Sequence, residues 1–181
     1  MNYAQMRSMD ISNGEGIGVS LFVQGCDFHC KNCFNSETWE FSKGQEWNEK
    51  TKNQFLKLVE KPFIQRATIL GGEPLHPKNV QNVLKIVDEM RVSFPSKNIW
   101  IYTGYTWEQI MNPVVTDNLD IERDNILNMR KEVVSMADVL VDGRYVDELR
   151  DVTLHWCGSS NQRVINVQES LKQNKVVLWE S

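Results

Sequence analysis

The chain reads as an α/β protein built on a partial parallel β/α barrel, or an open sheet curled like one. Strand-like apolar runs alternate with helical periodicities along it, which favours a parallel sheet with helical crossovers. The most distinctive motifs fall directly after strands, where α/β folds carry their chemistry. Its 181 residues fall well short of the roughly 250 that a complete eight-unit barrel needs.

Residues 19–24 (VSLFVQ) form the first strand, and a loop with three cysteines follows. Residues 45–60 have helical spacing, with Phe55, Leu58 and Val59 on one side. Residues 67–70 (ATIL) are a short buried strand ending at Gly71 and Gly72. A helix follows Pro77, its apolar positions Val80, Val83, Leu84, Val87 and Met90 recurring at three- and four-residue steps, and Pro95 stops it. Residues 98–103 (NIWIYT) are the third strand, and a short helix opens at Thr106. The polar stretch 113–131 has no strand signal, although 121–129 has helical character. Residues 138–141 (DVLV) are a fourth strand, and a turn at Asp142 and Gly143 leads to Arg144. Residues 163–167 and 175–179 are two further strand candidates. No internal repeat or low-complexity segment interrupts this order.

Length suits one domain spanning 1–181. Hydrophobic residues make up 41% and charged residues 24%, with a net charge of −4 and no block of Lys and Arg. That argues against direct nucleic-acid binding. The first residues lack the layout of a signal peptide, and no apolar run is long enough to span a bilayer. The expected compartment is the cytoplasm, where clustered cysteines more often bind metal or do redox chemistry than form disulfides.

The cysteine loop GCDFHCKNCFN, residues 25–35, places Cys26, Cys30 and Cys33 in a C-x₃-C-x₂-C pattern. Three thiolates this close converge on one centre without long-range folding, and thiolates suit iron–sulfur clusters and zinc alike. The remaining cysteine, Cys157, lies 124 positions after Cys33. A structural zinc site closes with four ligands, whereas a catalytic metal keeps a position open; a cubane on three cysteines likewise leaves one iron free. His29 could complete a zinc site instead, and ordinary buried thiols are the third reading. Cys157 as a fourth cluster ligand would close the site.

Gly71, Gly72 and Glu73 follow the second strand. The glycines let backbone approach a ligand, and Glu73 can accept hydrogen bonds from a cationic amine. On its own this stretch reads as a tight turn in which Pro74 restricts Glu73. Together, the cysteine loop and this turn resemble the radical S-adenosylmethionine superfamily. DISNGEG at 10–16, CFN at 33–35, GEPLHP at 72–77, YTGY at 102–105, DVLVDGRY at 138–145 and GSSNQR at 158–163 are similar to the activases of anaerobic (class III) ribonucleotide reductase. The last two are the most specific. The chain departs from that pattern at Asn32, where glycine is usual, and at Cys157, where arginine is usual. Residues 114–132 look like a surface insertion.

The resemblance implies a [4Fe–4S] cluster on Cys26, Cys30 and Cys33, with S-adenosylmethionine held by Asn32, Cys33, Phe34, Gly71, Gly72 and Glu73. No protein side chain beyond those of the cluster and cofactor sites is implied as catalytic. It implies reductive cleavage to methionine and a 5′-deoxyadenosyl radical, which removes hydrogen from a glycine of the reductase large subunit. The electron would come from an external donor such as a flavodoxin. An activase of another glycyl radical enzyme and a zinc-stabilised binding module are the competing expectations. Asp142 and Arg144 either face the cleft or form a solvated hairpin turn. His29, His76 and His155 read as structural, the tryptophans as packing, and Ser159, Ser160 and Asn161 as a turn or cap, with partner docking as the alternative.

Overall fold

The computed structural model describes residues 1–113 and 120–180. Its strands are β1 (Asn2–Asp10), β2 (Gly18–Val23), β3 (Gln45–Glu46), β4 (Arg66–Gly71), β5 (Asn98–Tyr102), β6 (Val139–Asp142) and β7 (Arg163–Asn166). Its helices are α1 (Glu49–Val59), α2 (Val80–Ser93), α3 (Trp107–Met111), α4 (Ile121–Met136) and α5 (Val167–Gln173). The strands form one seven-stranded sheet in the order β3-β1-β2-β4-β5-β6-β7. The centre, β2-β4-β5-β6, is parallel, as the alternating pattern predicts. The flanks β1, β3 and β7 are antiparallel. The sheet is not closed: β3 and β7 are its two edges.

The parallel strands step in one direction across the sheet. Right-handed crossovers therefore put α1, α2, α3 and α4 on one face. Strand alternation sorts the side chains accordingly. Val19, Leu21 and Val23 of β2, Ala67 and Ile69 of β4, Ile99 and Ile101 of β5 and Leu140 of β6 join the core under the helices. Burying each aliphatic side chain there contributes about 1.5–3 kcal/mol. Residues of opposite parity face the other side: Trp100, Val139 and Val141 form a second small core, with Tyr102, Trp156 and Trp179 packed on it.

The loop before β2 is tied to this inner face. Arg66 is fully buried, and its guanidinium donates to the backbone and carboxylate of Asp10 and to the Glu15 carbonyl. Asp10 in turn accepts from the Ser12 and Asn13 amides at 2.8 and 2.9 Å. The DISNGEG stretch is thus a folded turn around a buried ion pair.

Several boundaries differ from the sequence reading. An additional strand, β1, precedes the one expected first. The helix expected from residue 45 starts at Glu49, because Asn48 and Thr51 form a reciprocal capping box and Gln45–Glu46 pair with β1 instead. The helix foreseen over 121–129 extends to Met136. Residues 167–173 turn into α5, and the strand expected at 175–179 is reduced to one bridge, Leu178 with Ile165. Of the segment 114–132, residues 114–119 lie outside the described residues; the remainder leads into α4, which packs on α2. Among the described residues no helix is long and apolar enough to cross a membrane.

Candidate functional site

The register of β2 on β4 creates the site. Val23 lies opposite Gly71, so the cysteine loop and the GGE turn leave the sheet side by side. The Gly72 amide donates to the Val23 carbonyl and the Glu73 amide to the Gly25 carbonyl, both at 2.8 Å. Thr103 and Gly104 after β5, and Gly143 and Arg144 after β6, complete a cavity of about 520 Å³ over the carboxyl ends of the parallel strands. That volume is in the range of small-molecule sites.

Cys26, Cys30 and Cys33 all line this cavity, together with Phe34, Gly71, Gly72 and Glu73. Asn32 does not. Its side chain turns outward and donates to Asp147 Oδ2 at 2.8 Å, while its backbone takes a left-handed conformation with φ 54°. Asparagine tolerates that region better than most residues, so glycine is dispensable there. The loop is fastened at both ends. The Gly25 and Cys26 amides donate to the carbonyls of Thr38 and Trp39 at 2.7 and 2.9 Å, and the Cys33 amide to the Cys30 carbonyl at 3.1 Å. The Asn35 amide points at Cys33 Sγ, 3.4 Å away. Phe28, inside the loop, stands edge-on to Tyr105, and Phe34 edge-on to Tyr145.

All four cysteines are free thiols. Burial, then the charges of Glu73, Cys30 and Cys33, push the Cys26 thiol up to about 11. Cys30 is raised by burial and by Cys33. Thiols buried beside one another resist ionising, and a bound metal cation would lower that cost. Among the described residues no three His, Cys, Asp or Glu side chains are gathered to hold a single metal ion. His29 stacks on Trp39.

The glycines of the turn form a cradle. A Cβ on Gly72 would lie 2.5 Å from the Gly25 carbonyl oxygen, and one on Gly71 2.9 Å from Phe22 and Val23 atoms. Glu73 is buried, which raises its carboxyl despite its hydrogen bonds. Oε1 accepts from the Leu75 amide at 2.8 Å and the Thr103 hydroxyl at 2.7 Å, and Oε2 from the Gly104 amide at 2.8 Å. A carboxylate has about four acceptor positions, so one remains on Oε2.

Sequence reasoning missed the residue that joins the two motifs. Asn79, buried just before α2, donates from Nδ2 to the Gln24 carbonyl at 3.1 Å and the Glu73 carbonyl at 3.0 Å. A lone Asn leading an apolar helix was the available signal. His76 binds Asp27 at 2.9 Å and stacks on Phe41. Arg130 of α4 donates to the Leu75 carbonyl and the Tyr105 hydroxyl, each at 2.7 Å.

The pair expected at the β6 turn separates. Arg144 lines the cavity, whereas Asp142 is buried, paired with Arg163 and accepting the Trp107 amide. Cys157 lies in the cavity wall but packs with Tyr102, Trp156 and the β6 valines. Burial and then Asp142 push its thiol up to about 11.

An α/β sheet whose strand ends set three free thiols and a glycine cradle around one cavity has the layout of a single-cluster iron–sulfur protein. Residues 12–165 match the sequence family described as a 4Fe-4S single cluster domain. Over 166 residues the chain is 38% identical to the anaerobic ribonucleoside-triphosphate reductase-activating protein of Escherichia coli K12, covering 91% of this chain and 97% of that one. The protein of the same name from Haemophilus influenzae is 36% identical over 164 residues, 90% and 96% of the two chains. That of Enterobacteria phage T4 is 34% identical over 164 residues, 91% and 93%. The chain belongs to the 4Fe-4S single cluster family and to the anaerobic ribonucleoside-triphosphate reductase-activating proteins.

Proposed function

We propose that the chain is a single radical S-adenosylmethionine domain whose open sheet is a partial barrel, and that it activates an anaerobic ribonucleotide reductase. The observation that carries this reading is the common cavity of Cys26, Cys30, Cys33 and the GGE turn. In it the three thiolates hold a [4Fe–4S] cluster with one iron left to S-adenosylmethionine. When bound, cluster and cofactor together supply a one-electron reduction that breaks a sulfonium C–S bond and leads to hydrogen abstraction from a glycine of the reductase.

The chain's own residues orient and protect. Gly71 and Gly72 admit the cofactor's amino-acid end against backbone, and Glu73 Oε2 offers its remaining acceptor position to the amine. Cys33 and Phe34 wall the opposite side, and Asn32 sets the left-handed turn that aims Cys33. Phe28 and Tyr105 exclude water from the loop. The partner is the reductase large subunit, the electron donor is an external protein such as a flavodoxin, and the compartment is the cytoplasm.

The test is anaerobic reconstitution with iron and sulfide, reduction with S-adenosylmethionine, and mixing with a class III reductase. The expected result is 5′-deoxyadenosine release and a glycyl radical signal by electron paramagnetic resonance. Release of 5′-deoxyadenosine without that signal would assign the domain to another glycyl radical enzyme.

A further inference from the structure

We propose that Arg144 is the countercharge of the cluster site, and that Ser159, Asn161 and Gln162 serve to hold it there. The inference rests on the iron–sulfur reading above. A [4Fe–4S] core on three thiolates is anionic, one-electron reduction adds negative charge, and the buried carboxylate of Glu73 lines the same cavity. Buried charge of one sign is costly unless an opposite charge stands near. Arg144 meets that need. Its guanidinium carbon lies 4.1 Å from the centre of the Phe28 ring, between Cys26 and Cys30 in sequence, and arginine keeps its proton in any protein environment. Among the described residues no carboxylate pairs with it.

The neighbouring acid is diverted. Asp142 is bound by Arg163, which also holds Glu108 at 2.9 Å, so the β6 turn presents its cation and hides its anion. The backbone is then locked from the GSSNQR stretch. Gly143 turns the chain with φ 91°. Asn161 Nδ2 donates to the Arg144 carbonyl at 2.8 Å, and Gln162 Nε2 to the Gly143 carbonyl at 2.9 Å. Ser159, fully buried, donates to Asn161 Oδ1 at 2.8 Å and accepts the Val146 amide at 3.1 Å. The β6 turn and the GSSNQR stretch thus form one device.

A fixed positive charge beside an iron–sulfur cluster favours its reduced form. The test is a reductive titration of the reconstituted protein without S-adenosylmethionine, following the reduced cluster by electron paramagnetic resonance. Arg144→Gln should shift the midpoint potential negative, Arg144→Lys should stay near wild type, and Asn161→Ala should shift negative by a smaller amount. An Arg144→Gln protein with full iron content and wild-type potential overturns the proposal. If that variant holds no iron, Asn161→Ala decides, and a wild-type potential there overturns it equally. A wild-type protein with no reducible cluster would instead overturn the iron–sulfur reading itself.

Discussion

Replacing Asn79 by alanine should loosen the junction on which the whole site is built. Asn79 is 1% exposed, and its amide is a donor to the carbonyls of Gln24 and Glu73, with a longer approach of 3.4 Å to that of Gly25. The Gly25 carbonyl keeps the Glu73 amide and the Glu73 carbonyl keeps the His76 amide, so the Gln24 carbonyl is the acceptor left without its donor. A buried polar group left unsatisfied costs about 1–3 kcal/mol, and the loss should fall in that range. With a urea slope of about 2 kcal/mol/M, the unfolding midpoint of the metal-free protein should fall by about 0.5–1.5 M. Reconstituted Asn79→Ala should also bind less iron, since the cysteine loop and the GGE turn are no longer clamped together. A midpoint within about 0.25 M of wild type, about 0.5 kcal/mol on that slope, would refute the reasoning.

Gly72→Ala should fold with a penalty of about 1–3 kcal/mol for overpacking, because its methyl meets the Gly25 carbonyl; calorimetry together with S-adenosylmethionine binding checks this, and wild-type values for both would contradict it. Cys157→Ser should keep the wild-type iron and sulfide content, whereas Cys30→Ser should lose most of it, since Cys157 packs against the small core of Trp100, Val139 and Val141; a fall in iron for Cys157→Ser would place that thiol on the cluster. Glu108 is held down to about 2, first by its hydrogen bond from Arg163, from an ordinary value of 4.5. A lowered carboxyl contributes stability above the unfolded value and loses it as pH falls through the folded one. The pair is substantially exposed, so Glu108→Gln should cost only about 0.5–1 kcal/mol at neutral pH. That difference should shrink between pH 4.5 and about 2 in denaturation curves; a constant gap across that range would argue against the ion pair.

The parts of the fold that are written in side-chain pattern were legible in the sequence. The parallel strands carry apolar residues on both faces, α2 shows unbroken three- and four-residue spacing, and each cofactor motif sits at a strand end. β1 was not legible: NYAQMRSMD has a poor apolar alternation, and its place is fixed by backbone pairing with β2. The two-residue β3 likewise exists through its partner, and residues 167–173 became helix once Asn166 capped them. In the cavity, the cysteine loop stood out by its spacing, and the GGE turn only by resemblance once paired with that loop. The roles of Asn79, Thr103 and Arg130 depend on which strand ends and helices meet in space. Asn32 shows the limit from the other side: adjacent to a cluster cysteine in sequence, it points its amide away from the cavity.

The most direct test of a three-thiolate site with a vacant iron is the spectrum of the reduced cluster with and without S-adenosylmethionine. Oxygen-free reconstituted protein should hold about four irons per chain, and adding S-adenosylmethionine should change the electron paramagnetic resonance signal as the cofactor enters the coordination sphere. An identical signal in both samples, or a colourless protein carrying one zinc, would contradict the account.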